Sequence, residues 1–219
     1  MRDVQFKEVS IPSGDVLLEG TLAIPATSRG VIAFAHGSGS SRFSRRNREV
    51  AAVLQQAGLA TLLFDLLTAE ESGRDAETGR YRFNIPLLAR RLTDAIDWLA
   101  ALPATASFDV GLFGASTGAG AALMAAAARP ARVRAIVSRG GRPDLADAAL
   151  PRVEAPTLLI VGALDTQVIG LNEMAARQLS CEHRTILVPG ATHLFEEPGT
   201  LEAVARLAAD WFSIHMPRA

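Results

Sequence analysis

Six short apolar runs constrain this chain more than any other feature. They are GVIAFAH (30–36), LATLLFD (59–65), FDVGLFG (108–114), VRAIVS (133–138), PTLLIVG (156–162) and RTILVPG (184–190). Each has the length of a strand, and apolar character is nearly continuous rather than alternating. A strand covered on both faces needs that pattern, and parallel strands between two helical layers are the usual case. The intervening stretches read as helices. NREVAAVLQQAG runs to Gly58, a C-terminal stop. IPLLARRLTDAIDWLAAL carries Pro86 in its first turn and sets Leu88, Leu92, Ile96 and Leu99 on one face. A final helix from about residue 199 aligns Leu201, Val204, Leu207, Ala208, Trp211 and Phe212. Two earlier strands, about 3–11 and 15–24, meet at the turn composition PSGD. The expectation is one α/β domain over 1–219: a mostly parallel sheet flanked by helices, with an N-terminal antiparallel hairpin at its edge.

Charge and composition exclude several classes. The net charge is −1, with no basic footprint for nucleic acid. Of the 22 basic residues only Lys7 is a lysine, which leaves Schiff-base and P-loop chemistry almost without a candidate. Cys181 is alone, so no internal disulfide framework exists. No run approaches the roughly 18 apolar residues of a membrane span, and the expectation is a soluble cytoplasmic protein.

In open α/β sheets chemistry lies beyond the carboxyl ends of the strands. Ser116 passes that filter, because its strand ends near Gly114 and a helix begins at once. Gly114-Ala-Ser116-Thr-Gly118 matches G-x-S-x-G, a nucleophile elbow whose tight strand-to-helix turn needs small neighbours. Two rivals fail: a Walker A loop needs a lysine, and Gly118-Ala-Gly120 is not followed by the glycine of a dinucleotide fingerprint. A plain helix–sheet contact through small residues is the remaining alternative for this stretch.

A serine nucleophile needs a base. His36 precedes Ser116, His183 stands at the wrong end of its strand, and His215 lies in the last helical turn. His193, in VPGATHLFEEPG, falls between the last strand and the last helix. Asp165, about three residues past a strand end, is the candidate carboxylate to orient it. Asp144, Asp147 and Asp210 lie in helical stretches instead. The order Ser116, Asp165, His193 is that of an α/β-hydrolase. Oxyanion donors are then expected from the Thr117 N–H and from the glycine-rich HGSGSSR loop, with Ser38 first and Gly39 second. His36 reads as a brace for that loop.

With AHGSGSS, GASTGAG, LLIVGALDTQV and PGATHLF in place, the chain resembles the α/β-hydrolase superfamily over nearly its whole length, and more narrowly its dienelactone-hydrolase-like branch. One departure stands out: dienelactone hydrolases proper carry cysteine where this chain has Ser116. The resemblance implies a cofactor-free serine carboxylesterase acting on a small-molecule ester, with no nucleic acid or membrane partner. Thioester hydrolysis, perhydrolysis or a non-catalytic binding module would use the same scaffold.

Arg139 to Ala155 leaves space for only one short helix, so little or no cap and a shallow, open site are expected. The polar segment 68–84 reads as a surface loop that could wall the site through Tyr81 or Phe83. Arg42 or Arg45 could face the site and favour acidic substrates. Cys181 reads as an inert small residue, and no His/Cys/Asp/Glu cluster has metal-ligand spacing.

Overall fold

The computed structural model describes residues 3–28 and 30–216. Among these, eight strands form one sheet: β1 (Val4–Ser13), β2 (Val16–Pro25), β3 (Gly30–Ala35), β4 (Ala60–Phe64), β5 (Asp109–Ala115), β6 (Val133–Arg139), β7 (Thr157–Gly162) and β8 (His183–Val188). Their spatial order is β1-β2-β4-β3-β5-β6-β7-β8. β1 pairs antiparallel with β2 and β2 antiparallel with β4, while all pairs from β4 to β8 are parallel. The mostly parallel sheet with an antiparallel N-terminal hairpin is thus present.

Five of the six near-continuous apolar runs are covered on both faces, while the sixth lies in the edge strand β8, where only Val188 is buried. Ile32, Phe34, Phe113 and Val137 pack toward α1 (Arg45–Gln56) and α6 (Thr200–His215). The alternate residues Val31, Ala33, Leu112 and Ile136 pack toward α3 (Ile85–Ala101) and α4 (Thr117–Ala128). Every position of β3 is buried. Both faces need apolar side chains, so period-2 alternation disappears from the sequence.

Chain progression reverses between β3 and β5. The sheet grows from β3 to β4 on one side and from β5 onward on the other, which opens a crevice above the two carboxyl ends. The residues that leave those ends are the 36–44 loop and Ser116.

Two expectations need correction. The segment 68–84 is not a plain loop: residues 69–78 form helix α2 (Ala69–Thr78). Thr68 and Glu71 make a reciprocal capping box at its start, and Gly79, in the left-handed region at φ 64°, ends it. A polar helix of this kind lacks an apolar stripe long enough to register as periodic, so its caps are the legible signal. The second concerns the small-residue helix–sheet contact, to which Gly120 in α4 does not contribute. A Cβ there would stand 2.9 Å from Leu145 Cβ and 3.2 Å from the Arg142 carbonyl oxygen. Gly120 therefore lets α4 approach the 3-10 segment Pro143–Arg152, not the sheet. That short segment and α5 (Thr166–Ala176) are the only elements between β6 and β8 apart from β7, and no cap is inserted there.

Candidate functional site

Ser116 sits at the turn from β5 into α4 with φ 50° and ψ −122°. A non-glycine residue in that region stores on the order of 1–3 kcal/mol of strain, and the surroundings must hold it there. Three backbone bonds do so: the Ser116 N–H donates to the Arg139 carbonyl at 3.3 Å, and its own carbonyl accepts from Ala119 and Arg142, both at 3.0 Å. The flanking glycines are required sterically. A Cβ at Gly114 would lie 2.5 Å from Ala119 Cα, and one at Gly118 would overlap the Ala35 carbonyl.

His193 follows β8 and brings its ring over the elbow. Nε2 lies 3.3 Å from Ser116 Oγ, and Nδ1 lies 2.7 Å from Asp165 Oδ2. With Nδ1 facing a carboxylate, the hydrogen-bond pattern assigns the proton to Nδ1 and leaves Nε2 to accept from the serine hydroxyl. Asp165 occupies the position that caps α5, yet its side chain makes no cap bond and goes to His193 instead. Two loops from different strands are locked together to achieve this. Leu164 N–H donates to the Ala191 carbonyl at 3.0 Å, and Ala163 N–H to the Val188 carbonyl at 3.0 Å. A Cβ on Gly162 would come within 2.5 Å of the Ala191 carbonyl oxygen. Ser116, Asp165 and His193 are far apart in sequence, and the fold brings all three into one hydrogen-bonded chain.

The 36–41 loop faces the elbow, with a Cβ at Gly37 falling 3.1 Å from Ser116 Cβ. Among the described residues no protein acceptor takes the N–H of Ser38, Gly39 or Thr117, so these three amides remain available as donors. Gly39 adopts φ 69°, a conformation that glycine enters at no steric cost. His36 braces this loop. Its Nε2 accepts the Leu66 N–H at 3.0 Å, and Nδ1 lies 3.0 Å from the Gly37 carbonyl. Burial pushes its basicity down, so the ring is neutral at pH 7.

Several expected neighbours stand elsewhere. Arg42 is tied through both its backbone N–H and its guanidinium to Asp65, and Arg45 to Glu49 on the exposed face of α1. Neither is a free cation at the elbow. Tyr81 packs against the main core and Phe83 is exposed. The 68–84 segment nonetheless walls a cavity of about 480 Å³ beside the 37–41 loop, through Ser72, Asp75, Ala76 and Arg82. Ser116 is half-buried and the His193 side chain is 38% exposed, consistent with an open site.

Three supporting residues escaped the sequence reading. Asn172, fully buried on α5, donates to the Gly141 and Val168 carbonyls and fixes the turn after β6. Gly140, at φ 50°, sits under His193, where a Cβ would meet the His193 carbonyl oxygen at 2.9 Å. The glycine pair at the end of β6 was the available signal for it. Arg139, the last residue of β6, is buried, and its guanidinium reaches Asn47 Oδ1 at only 3.4 Å. Burial lowers its pKa to about 10, which leaves it charged at neutral pH.

Among the described residues, no group of three or more His, Cys, Asp and Glu could hold a metal ion. Among the described residues no helix is long and apolar enough to cross a membrane.

Residues 18–213 match the model of the dienelactone hydrolase family, and the chain belongs to that family. It is similar to a solved dienelactone hydrolase from Anabaena variabilis, with 59% identity, a TM-score of 0.96, and 97% of this chain and 99% of that one covered. It is also 58% identical over 210 residues to a Mycobacterium tuberculosis protein described as a "putative phosphoribosyl transferase". That match takes in 96% of this chain but 46% of the relative, so the chain spans about half the length of the curated relatives it matches. The structure of Est1E from Butyrivibrio proteoclasticus aligns at a TM-score of 0.80 with 15% identity, covering 96% of this chain and 99% of that one, a likeness of fold alone.

Proposed function

We propose that this member of the dienelactone hydrolase family is a serine hydrolase of small carboxylic esters, working through an acyl-enzyme. The observation that carries the reading is the unbroken line Asp165–His193–Ser116, at 2.7 and 3.3 Å, ending on a serine held at a strained φ. Ser116 Oγ attacks the ester carbonyl carbon while His193 Nε2 takes the hydroxyl proton. The carbonyl oxygen becomes an oxyanion, held by the Thr117 N–H and by Ser38 or Gly39 N–H. When the tetrahedral intermediate collapses, the ester C–O bond breaks and His193 gives its proton to the departing alcohol. Water then attacks the acyl-enzyme with His193 as base, releasing the acid and restoring Ser116. Asp165 keeps the imidazole in the useful tautomer and stabilises its charged form.

The open site with no inserted cap supports small or short-chain acyl groups. Thioesters and peracid formation would use the same groups. The transferase designation belongs to relatives about twice as long, and in the part they share with this chain the geometry favours acyl chemistry over phosphoribosyl transfer.

Treatment with a fluorophosphonate followed by mass spectrometry of the intact protein and its peptides tests the reading. One label per chain on Ser116, abolished in His193→Ala, is expected. An unlabelled Ser116 would overturn the enzyme in favour of a binding module.

A further inference from the structure

The cavity beside the 37–41 loop holds an arginine whose bonds are unevenly spent. Arg82 Nε donates to Asp75 Oδ2 at 2.5 Å, its NH2 donates to the Asp75 carbonyl, and its backbone N–H donates to Asp75 Oδ1 at 3.2 Å. Asp75 is itself buried and takes a further bond from the Tyr81 N–H at 2.6 Å. This clamp fixes the guanidinium plane. The remaining arm, NH1, has no protein acceptor among the described residues, and a Cβ on Gly39 would stand 3.9 Å from it. The fixed donor therefore lies beside the same loop that offers the Ser38 and Gly39 amides.

Other lining residues include both hydroxyl-bearing and apolar ones. Ser38, Ser40 and Ser72 present hydroxyls, while Leu67 and Leu88 are apolar. Arg82 and Asp75 cancel in charge, so the cavity offers directed donors without a net positive field. Such a lining disfavours an anion, which would pay desolvation without a compensating charge, and suits a neutral oxygen acceptor on a small apolar body. The volume of about 480 Å³ is in the range of small-ligand sites.

We propose that this cavity is a substrate subsite for a neutral, oxygen-bearing substituent (alkoxy, hydroxyl or carbonyl), with Arg82 NH1 as its principal donor. The proposal rests on the serine-hydrolase reading and names part of its substrate class.

Two isosteric ester pairs test it. On the acyl side, p-nitrophenyl methoxyacetate is compared with p-nitrophenyl butyrate; on the alcohol side, 2-methoxyethyl butyrate with butyl butyrate. A p-nitrophenyl succinate monoester is the anionic arm. The readout is the polar-to-apolar ratio of kcat/KM in the natural protein against Arg82→Met and Ser72→Leu. Ser72→Leu fills the cavity without touching the clamp, which guards against misfolding of the arginine variant. In at least one pair the ratio should fall about tenfold in both variants, equivalent to about 1.4 kcal/mol. Fluorophosphonate labelling of Ser116 should persist. A ratio that moves less than about twofold in both pairs overturns the subsite, as does a succinate ester that suffers the largest loss. Failure of Ser116 to label in the natural protein would instead overturn the hydrolase reading, and the subsite with it.

Discussion

Gly118, in the first turn of α4, lies directly against the carbonyl of Ala35 at the end of β3, so closely that any Cβ would overlap that oxygen. The contact joins the elbow strand's helix to the strand that launches the 36–44 loop. Gly118→Ala should therefore separate the two sides of the crevice or strain both. The expected loss is about 2–4 kcal/mol, or a fall in Tm of roughly 5–10 °C, because backbone rather than a flexible side chain must yield. Gly73→Ala in α2, where a Cβ meets nothing within 4 Å, is the matched control. It should raise stability by about 0.5–1 kcal/mol. Thermal melts of the two variants decide it, and equal shifts would remove the steric argument.

Ser116, His193 and Asp165 are proposed to act as one unit, so their substitutions should not add. Ser116→Ala and His193→Ala should each lower kcat by a factor on the order of 10⁴ or more, with the double variant no worse than about tenfold below either. Asp165→Asn should cost about 10⁴, through the wrong imidazole tautomer rather than lost binding. Ser116→Gly adds a stability readout. Removing a side chain from φ 50° should raise Tm while abolishing activity, an exchange expected where strain serves chemistry. Esterase rates on one activated substrate, with melts on the same samples, test all five variants. Multiplicative losses in the double variant would mean that Ser116 and His193 work separately.

Much of this was legible in the sequence, for a shared physical reason. Ser116 and Asp165 each follow a buried apolar run, the strongest signal a short segment can carry, whereas His193 follows the largely exposed edge strand β8, whose apolar Ile186, Leu187 and Val188 gave it away. Residues that reach the crevice through weaker elements were harder to see. α2 is polar on nearly all sides, so only Thr68, Glu71 and Gly79 mark it. Arg82 could then be placed only by knowing where that helix ends. Arg42 and Arg45 show the converse error. They were read as residues that could face the site and favour acidic substrates, whereas Asp65 and Glu49, 23 and 4 residues away, hold them. Asn172 carried no signal at all, since a lone asparagine inside a helix reads as surface.

His36 makes the acid side of the stability curve informative. The buried ring accepts the Leu66 N–H and is held neutral, with a folded-state pKa below the ordinary 6.5. The unfolded chain therefore takes up this proton first. The contribution from neutral His36 is complete above about pH 6.5 and is lost progressively as pH falls toward the depressed folded value. His36→Asn, which can still accept a hydrogen bond but does not titrate, should show a shallower fall in Tm between pH 7 and 5. His36→Ala, leaving the Leu66 N–H unsatisfied, should lose about 1–3 kcal/mol at every pH. Parallel Tm–pH curves for the natural protein and His36→Asn would place the acid sensitivity elsewhere.

Glu71 and Arg91 anchor the wall of the cavity to the main core. Arg91, buried on α3, donates through NH1 and NH2 to the two Glu71 carboxylate oxygens at 2.7 and 2.6 Å, and also to the Leu66 carbonyl at 2.7 Å. Glu71 additionally accepts the Thr68 N–H that closes the capping box of α2. The Arg91 guanidinium, more than any other neighbour, holds the Glu71 carboxyl below the usual carboxylate range. Its stabilisation is therefore present above the ordinary carboxylate pKa and lost as pH falls through the depressed folded value. Arg91→Met should cost about 2–3 kcal/mol at pH 7, toward the low end for a broken buried pair because Glu71 keeps some contact with water. As pH falls below the ordinary carboxylate range the gap between variant and natural protein should narrow, since the unfolded chain's Glu71 then takes up a proton before the folded one and the ion pair's contribution is lost. Because α2 walls the cavity beside the 37–41 loop, amide exchange across 68–79 should quicken in Arg91→Met while the α4 core stays protected. A pH-independent gap, or uniform loss of protection across both helices, would show that Arg91 supports the core at large rather than this wall.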